Sequence, residues 1–490
     1  MNKTLILSFL LVLNGHFLQA QLLSGKIIDK ETKEPVPYAT VQLSDNSGVI
    51  SNEEGYFTID LGNTLAPNLR ISCLGYTQKV LSLDAFEKAN YIIALDESAL
   101  QLNEVFVSNK TPNADAIIAK VRSRVKENYG VGPLSHELFY RESAYIDFAR
   151  LDVEVERASH VEKDQIKGAN ISLDSLANVI VNSKAVHFTD FKGDLHVKDR
   201  ENLKLSVDKA TTLIDSKRDF SIENVQKKAQ DIVLKYLDTT KTYKLKTGLF
   251  KIEDSLSLNE ESGSDKDEYK ISYLKSETEE VLKTSQLYDG SFLNRILDAK
   301  YYNYSFLDAT FFNDELVYII QFSPKRAKAK FTGRLYVSDD THAVIKTDYR
   351  YGKGKRGQKV NLKLILGVKY IENARTGTIM YKKRTDNTYV PHYIKREEGS
   401  YFYVNRPFKF IENSTEKNKV AFDLMLEGDA RNKEELLFIT HTDLSSATYD
   451  AFEEKEKTPY QVLTKYDPTI WQNSKVITPL EEMKNFGNPE

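Results

Sequence analysis

Apolar residues recur at every second position through much of this chain. In "LDVEVERA", Leu151, Val153 and Val155 alternate with Asp152, Glu154 and Glu156. "FTGRLYVSDDTHAVIKTDYRY" carries Gly333, Leu335 and Val337, then Ala343, Ile345 and Tyr349, on one side, with Asp339-Asp340 at a turn. That arrangement predicts a hairpin. "KVNLKLILGVKY" sets Val360, Leu362, Leu364, Leu366, Val368 and Tyr370 against Lys359, Asn361, Lys363 and Lys369, which predicts one continuous strand. Period-two patterning of this kind belongs to a sheet with one face on a core and the other in water. Helical spacing is confined to two stretches. Ala114, Ile117, Ile118, Val121 and Val125 predict a helix near 113–128, begun after Pro112 and stopped by Gly130. Ile222, Val225, Ala229, Ile232, Val233 and Tyr236 predict another near 221–237. The expected fold class is mainly β, with a small N-terminal antiparallel β-sandwich and then a larger antiparallel-sheet domain with a few packed helices.

The sandwich is expected over residues 21–109, where short strands are broken by turn formers such as Asn46-Ser47-Gly48 and Glu53-Glu54-Gly55. Four blocks stand out in order: "SGKIID" with Gly25 and Asp29, "EPVPYATVQL" with Pro35, Pro37, Ala39 and Val41, "SNEEGYFTI" with Asn52, Gly55, Tyr56 and Phe57, and "ISCLGY" with Gly75 and Tyr76. This stretch resembles the carboxypeptidase regulatory-like domain, a transthyretin-like sandwich. The resemblance implies a non-catalytic accessory module of Gram-negative envelope proteins. Asp45, Asn46, Asn52, Glu53 and Glu54 do not have the spacing of a calcium loop.

The remainder, 110–490, is expected to be the β-rich domain. Its strand rhythm and the Phe331–Tyr351 hairpin resemble the half-open sheet of lipoprotein carriers such as LolA, which implies a curved sheet able to shelter lipid chains.

The N-terminus "MNKTLILSFLLVLNGHFLQAQ" has Lys3, an apolar run from Leu5 to Leu13, and Ala20. That layout predicts a signal peptide over 1–20 and export to the periplasm or outer membrane. Cys73 is the single cysteine, so no internal disulfide forms; its apolar surroundings predict a small buried hydrophobe.

Net charge is only -3, but between Pro324 and Arg396 there are 19 Lys or Arg against 5 Asp or Glu. Read as a strand, "RAKAKFTGR" places Arg326, Lys328, Lys330 and Arg334 on one face. Lys346 and Arg350 in the next strand, with Lys363 and Lys369 in the following one, point to the same polar side. Neighbouring strands would make these eight a basic wall, unless acids such as Glu260, Glu261, Asp265, Asp267 and Glu268 offset it. A positive field attracts lipopolysaccharide phosphates, anionic lipid headgroups or acidic glycans; export disfavours nucleic acid.

Catalytic motifs are missing. None of the eight histidines forms H-E-x-x-H, and G-x-S-x-G is absent. His441 and Asp443 lie two apart, the spacing of a surface pair. Gly352, Gly354 and Gly357 spell G-x-G-x-x-G, but a dinucleotide site needs a helix after the loop, and an alternating strand follows. No cofactor or metal is expected. The reading is a non-enzymatic exported envelope protein that binds an anionic lipid, lipopolysaccharide or glycan through a basic sheet face or apolar groove. Two alternatives stand beside it: a hydrolase of envelope polymers with an unrecognised carboxylate pair, which requires two converging acids and a shifted pKa, and a structural partner of an outer-membrane transporter protein. Oligomeric state is not readable from these features.

Overall fold

The computed structural model describes residues 22–487 except 45–46, 62–67, 99–110, 131, 160, 183–184, 215–237, 239, 249, 258–267 and 473. The expected signal peptide and the helix expected near 221–237 lie outside the described residues, as do Glu260, Glu261, Asp265 and Asp267. The chain divides into two compact units.

The first unit holds the chain up to Ala99, together with Phe311–Asp314 and Asp467–Glu481. Its strands are β1 (Leu22–Asp29), β2 (Thr40–Ser44), β3 (Ser47–Ile50), β4 (Tyr56–Asp60), β5 (Asn68–Ser72), β6 (Lys79–Ser82) and β7 (Ile92–Leu95). They form two sheets, ordered β4-β1-β7 and β3-β2-β5-β6. One pairing in them is parallel, β7 alongside β1 with Ile27 opposite Ile93. Alternate residues of the sheets, among them Ile27, Val41, Phe57, Ile59, Leu69, Ile71, Ile93 and Leu95, interleave into one core around Phe86. The four sequence blocks map onto its corners. Asn52 accepts the amides of Glu54 and Tyr56 on Oδ1, while its Nδ2 donates to the carbonyls of Thr478 and Pro479. Gly55 sits at φ +78, where an added Cβ would stand 2.3 Å from the Ile27 carbonyl. Only glycine fits that corner. Cys73 is half-buried against the core, less enclosed than expected.

The second unit is built on a 14-stranded sheet. Its strands are β8 (Leu134–Ala158), β9 (Ala185–Val197), β10 (Leu203–Leu213), β11 (Thr242–Thr247), β12 (Phe250–Ser257), β14 (Tyr302–Phe312), β15 (Glu315–Pro324), β16 (Phe331–Ser338), β17 (Val344–Tyr351), β18 (Lys359–Leu362), β19 (Val368–Lys383), β20 (Tyr389–Glu412), β21 (Lys419–Asp443) and β23 (Gln461–Leu463). The short strands β13 (Glu268–Lys270) and β22 (Lys457–Pro459) pair separately. The main order is β14-β15-β16-β17-β19-β20-β21-β8-β9-β10-β23. Every registered pair in it is antiparallel apart from β10 with β23. Along β8, Leu151, Val153 and Val155 are buried while Asp152, Glu154 and Glu156 are exposed. The apolar side is covered by the helix Lys163–Val181, which contributes Leu173, Ala177 and Ile180. A second helix, Ile271–Lys283, buries Ile271, Leu274, Val281 and Leu282 and packs over β10, β20 and β21. Helical backbone also runs over Ala114–Ser123 and Val125–Tyr129, with the Asn113 side chain accepting the Ala116 amide at the start.

Two segments expected as strands are not continuous. "RAKAKFTGR" begins as a turn: Ala329 donates to the Arg326 carbonyl, and extended backbone resumes only at Phe331. "KVNLKLILGVKY" breaks after Leu362 into the helical turn Lys363–Leu366, closed by Gly367 at φ 63. It then returns as β19, pairing Leu362 with Val368. The stretch is a hairpin.

Candidate functional site

The predicted basic wall resolves into three places. In β16 and β17, Arg334 stands opposite Asp348, Tyr336 opposite Lys346, and Thr332 opposite Arg350. Directly opposed residues share a face, so Arg334, Lys346 and Arg350 are brought together there. Lys346 lies 3.2 Å from Asp348 and over the Tyr336 ring. Asp348 accepts from Thr378, so one carboxylate sits among three cations.

Arg326, Lys328 and Lys330 belong instead to the β15–β16 turn. The glycine loop packs beside that turn: the Gly352 amide donates to the Lys330 carbonyl, and Lys355 Nζ donates to the Ala327 carbonyl. Lys353 and Arg356 are thereby added to the cluster, both exposed. Among the described residues Arg326, Lys328, Arg350, Lys353 and Arg356 make no ion pair. The loop joins β17 to β18 with no helix after Gly357. A carboxylate occupies the space a phosphate would need, since a Cβ built on Gly357 would lie 1.8 Å from Glu372 Oε2. Glu372 also takes hydrogen bonds from the Gln358 amide and the Tyr351 hydroxyl, and pairs with Arg375. The loop is pinned by an acid, and the motif is not a nucleotide cradle.

Lys363 and Lys369 form the third place. Their ammonium groups lie 3.8 Å from the Tyr403 centroid and 4.6 Å from the Tyr401 centroid, a cation–π arrangement on an aromatic face. Lys363 opens the helical turn, so it is not on a strand face with the others.

A group that the sequence did not single out lies at the centre of the sheet. Arg396 of β20, Glu434 of β21 and Glu142 of β8 form one cross-strand row. Arg396 Nε donates to Glu434 Oε2 at 2.6 Å, and the Tyr140 hydroxyl to Oε1 at 3.2 Å. Burial, then the charges of Glu434 and Glu277, push Glu142 up to about 7. Glu277 comes from the helix Ile271–Lys283 and is itself raised, by burial and then by Glu434. One row further along the strand, on the opposite face, Arg141 makes a bidentate pair with Asp190 at 2.8 and 2.6 Å, both buried.

A cavity of about 290 Å³ is lined by Tyr129, Tyr288, Tyr381, Tyr389, His136 and Arg200, among others. The Tyr129 hydroxyl donates to the Val344 carbonyl and that of Tyr381 to the Ser285 carbonyl, while Lys198, Asp199 and Arg200 add charge to the lining. His441 and Asp443 are not joined. His441 Nδ1 lies 2.7 Å from His136 Nδ1, whereas Asp443 is exposed and pairs with Arg384. Among the described residues no group of His, Cys, Asp and Glu has the arrangement of a metal site.

With this geometry in hand, comparison with known proteins bears on the first unit. Residues 23–107 match the CarboxypepD_reg-like domain, so the resemblance carried by the four blocks holds. No curated protein matches the chain. Among solved structures, a domain named for outer-membrane lipoprotein sorting from Vibrio parahaemolyticus is 10% identical, with 69% of this chain and 96% of that chain covered at a TM-score of 0.21. A DUF1329 family protein from Desulfovibrio piger is also 10% identical, covering 70% and 98% at 0.19. MucB is 8% identical, covering 64% and 92% at 0.18. At such scores these likenesses carry no argument. Among the described residues no helix is long and apolar enough to cross a membrane.

Proposed function

We propose that this chain is an exported cell-envelope protein that binds a phosphorylated or carboxylated envelope component through the cationic surface of its large sheet. One observation carries the reading. The β15–β16 turn and the glycine loop bring Arg326, Lys328, Lys353 and Arg356 next to the strands β16 and β17 that carry Arg334 and Arg350, and the two acids there are already engaged, Asp348 by Lys346 and Thr378 and Glu372 by Arg375 and Tyr351. Such a field draws anionic lipid headgroups or lipopolysaccharide phosphates and weakens as salt shortens its range to about 10 Å. The carboxypeptidase regulatory-like module and the apolar N-terminal segment support placement in the envelope. Reversing Arg334, Arg350, Arg326 and Lys328 to Glu should abolish salt-sensitive binding to lipopolysaccharide. Unchanged, salt-insensitive binding would sink the reading.

A second reading, hydrolysis of an envelope polymer, is favoured by Glu142 alone: a carboxyl titrating near neutrality beside another held by Arg396 is the division of labour general acid–base catalysis uses. It requires that purified peptidoglycan or envelope polysaccharide be cleaved, and that Glu142→Gln stop the cleavage.

A further inference from the structure

The edge of β20 is shared by two hairpins. β19 pairs with its residues up to Val404, and β11 takes over from Phe408. The ends of both hairpins meet at Arg406. Its Nε and Nη2 donate to the Thr247 hydroxyl and carbonyl, its Nη1 donates to the Leu366 carbonyl, and its guanidinium lies 5.7 Å from the Phe250 ring. Gly367 makes the close approach possible: it adopts φ 63, and the Asn405 amide donates to its carbonyl at 2.7 Å.

The side chains displayed by this clamped junction are those water should least tolerate. Leu364 is 100% exposed and Ile365 80%, while Phe250, Ile252, Val360 and Leu362 are each exposed as well. Single exposed apolar residues need no explanation, but a contiguous set on a folded edge marks an interaction surface. On the turn itself the charge is all positive. Lys359, Lys363 and Lys369 flank Leu364 and Ile365 with no acid between Lys359 and Tyr370. The other hairpin carries Lys244, Lys246 and Lys251 together with Glu253 and Asp254, and Asp254 is paired with Lys251.

We infer that the Lys363–Leu366 turn, with Phe250 across Arg406 from it, is a membrane-docking tip that inserts into an anionic lipid bilayer. Aliphatic groups at the apex with lysines behind them match the two layers they would meet, acyl chain and then phosphate. A second copy of this chain fits less well, because identical lysine-rich tips repel one another and a helical turn offers no edge for strand pairing. The surface is separate from the cationic sheet face, and the inference stands whether or not that reading holds.

The full-length protein can be co-sedimented with vesicles of phosphatidylcholine containing phosphatidylglycerol, and with phosphatidylcholine alone. Binding should require the anionic lipid. Leu364→Ser with Ile365→Ser should weaken it about tenfold or more, and Lys363→Gln about fivefold at low salt, while Arg334→Glu with Arg350→Glu leaves tip insertion in place. In a Leu364→Trp variant, emission should shift to the blue on binding and be quenched by brominated acyl chains. Circular dichroism of each variant should match the parent, since these side chains pack against little. The inference is overturned if the Ser variant binds vesicles as the parent does, if Trp at 364 stays in water, or if sedimentation equilibrium shows a tip-dependent dimer in place of vesicle binding.

Discussion

Glu142 and Glu434 stand directly opposite each other on β8 and β21. Like charges in that position destabilise a sheet, and the arrangement persists because Glu434 is held by Arg396 and Tyr140 while Glu142 keeps its proton to about pH 7. The folded-state pKa is raised above the unfolded value, so the stabilisation is fully present below about 4.5 and is lost as pH rises through about 7. Glu142→Gln, which mimics the protonated form, should stabilise the protein at pH 8 by on the order of 2 kcal/mol and leave it unchanged at pH 4. Urea midpoints measured at the two pH values check this; equal effects at both would contradict it.

The histidines act in the opposite direction. Burial lowers His136 and His392 to about 4, and lowers His441 further still, with the His136 charge next in effect. These folded pKa values lie below the unfolded one, so the stability they contribute is present above about 6.5 and lost as pH falls towards 4. His392 Nδ1 is buried without a hydrogen-bond partner among the described residues, so a ring that cannot be protonated should fit there. His392→Phe is expected to move the acid unfolding midpoint down by about half a pH unit. Far-ultraviolet circular dichroism against pH gives the midpoint, and an unmoved or raised value would refute the assignment.

Arg141 and Asp190 test what a buried ion pair contributes. Removing the cation alone, Arg141→Met, leaves a buried carboxylate on β9, between β8 and β10, without its guanidinium partner and should cost about 3–5 kcal/mol. Arg141→Met with Asp190→Leu should recover most of that loss. Chemical denaturation of the two variants and the parent separates the outcomes: a double variant no better than the single one means that the pair is needed for packing as well as for charge.

Much of this was legible in the residues themselves because strand patterning is local. The alternation in "LDVEVERA" and the Phe331–Tyr351 hairpin needed only period two and a turn, and the four N-terminal blocks needed only their order. Where the same rule was carried too far, a single backbone position was the cause. Leu362, Leu364, Leu366 and Val368 continue an unbroken alternation, yet the helical turn and the left-handed Gly367 put Leu364 wholly in water. In "RAKAKFTGR" the turn closed by Ala329 separates Arg326, Lys328 and Lys330 from Arg334.

Composition and order along the chain settled a mainly β protein, a carboxypeptidase regulatory-like sandwich at the N-terminus, and a cationic stretch between Pro324 and Arg396. Folding added the relationships that span hundreds of residues: Glu142 against Glu434, His136 against His441, and two hairpins clamped by Arg406. The reason is range. Side-chain alternation reports which face a residue takes, but register between strands far apart in sequence depends on the packing of the whole sheet, and register is what places one charge beside another.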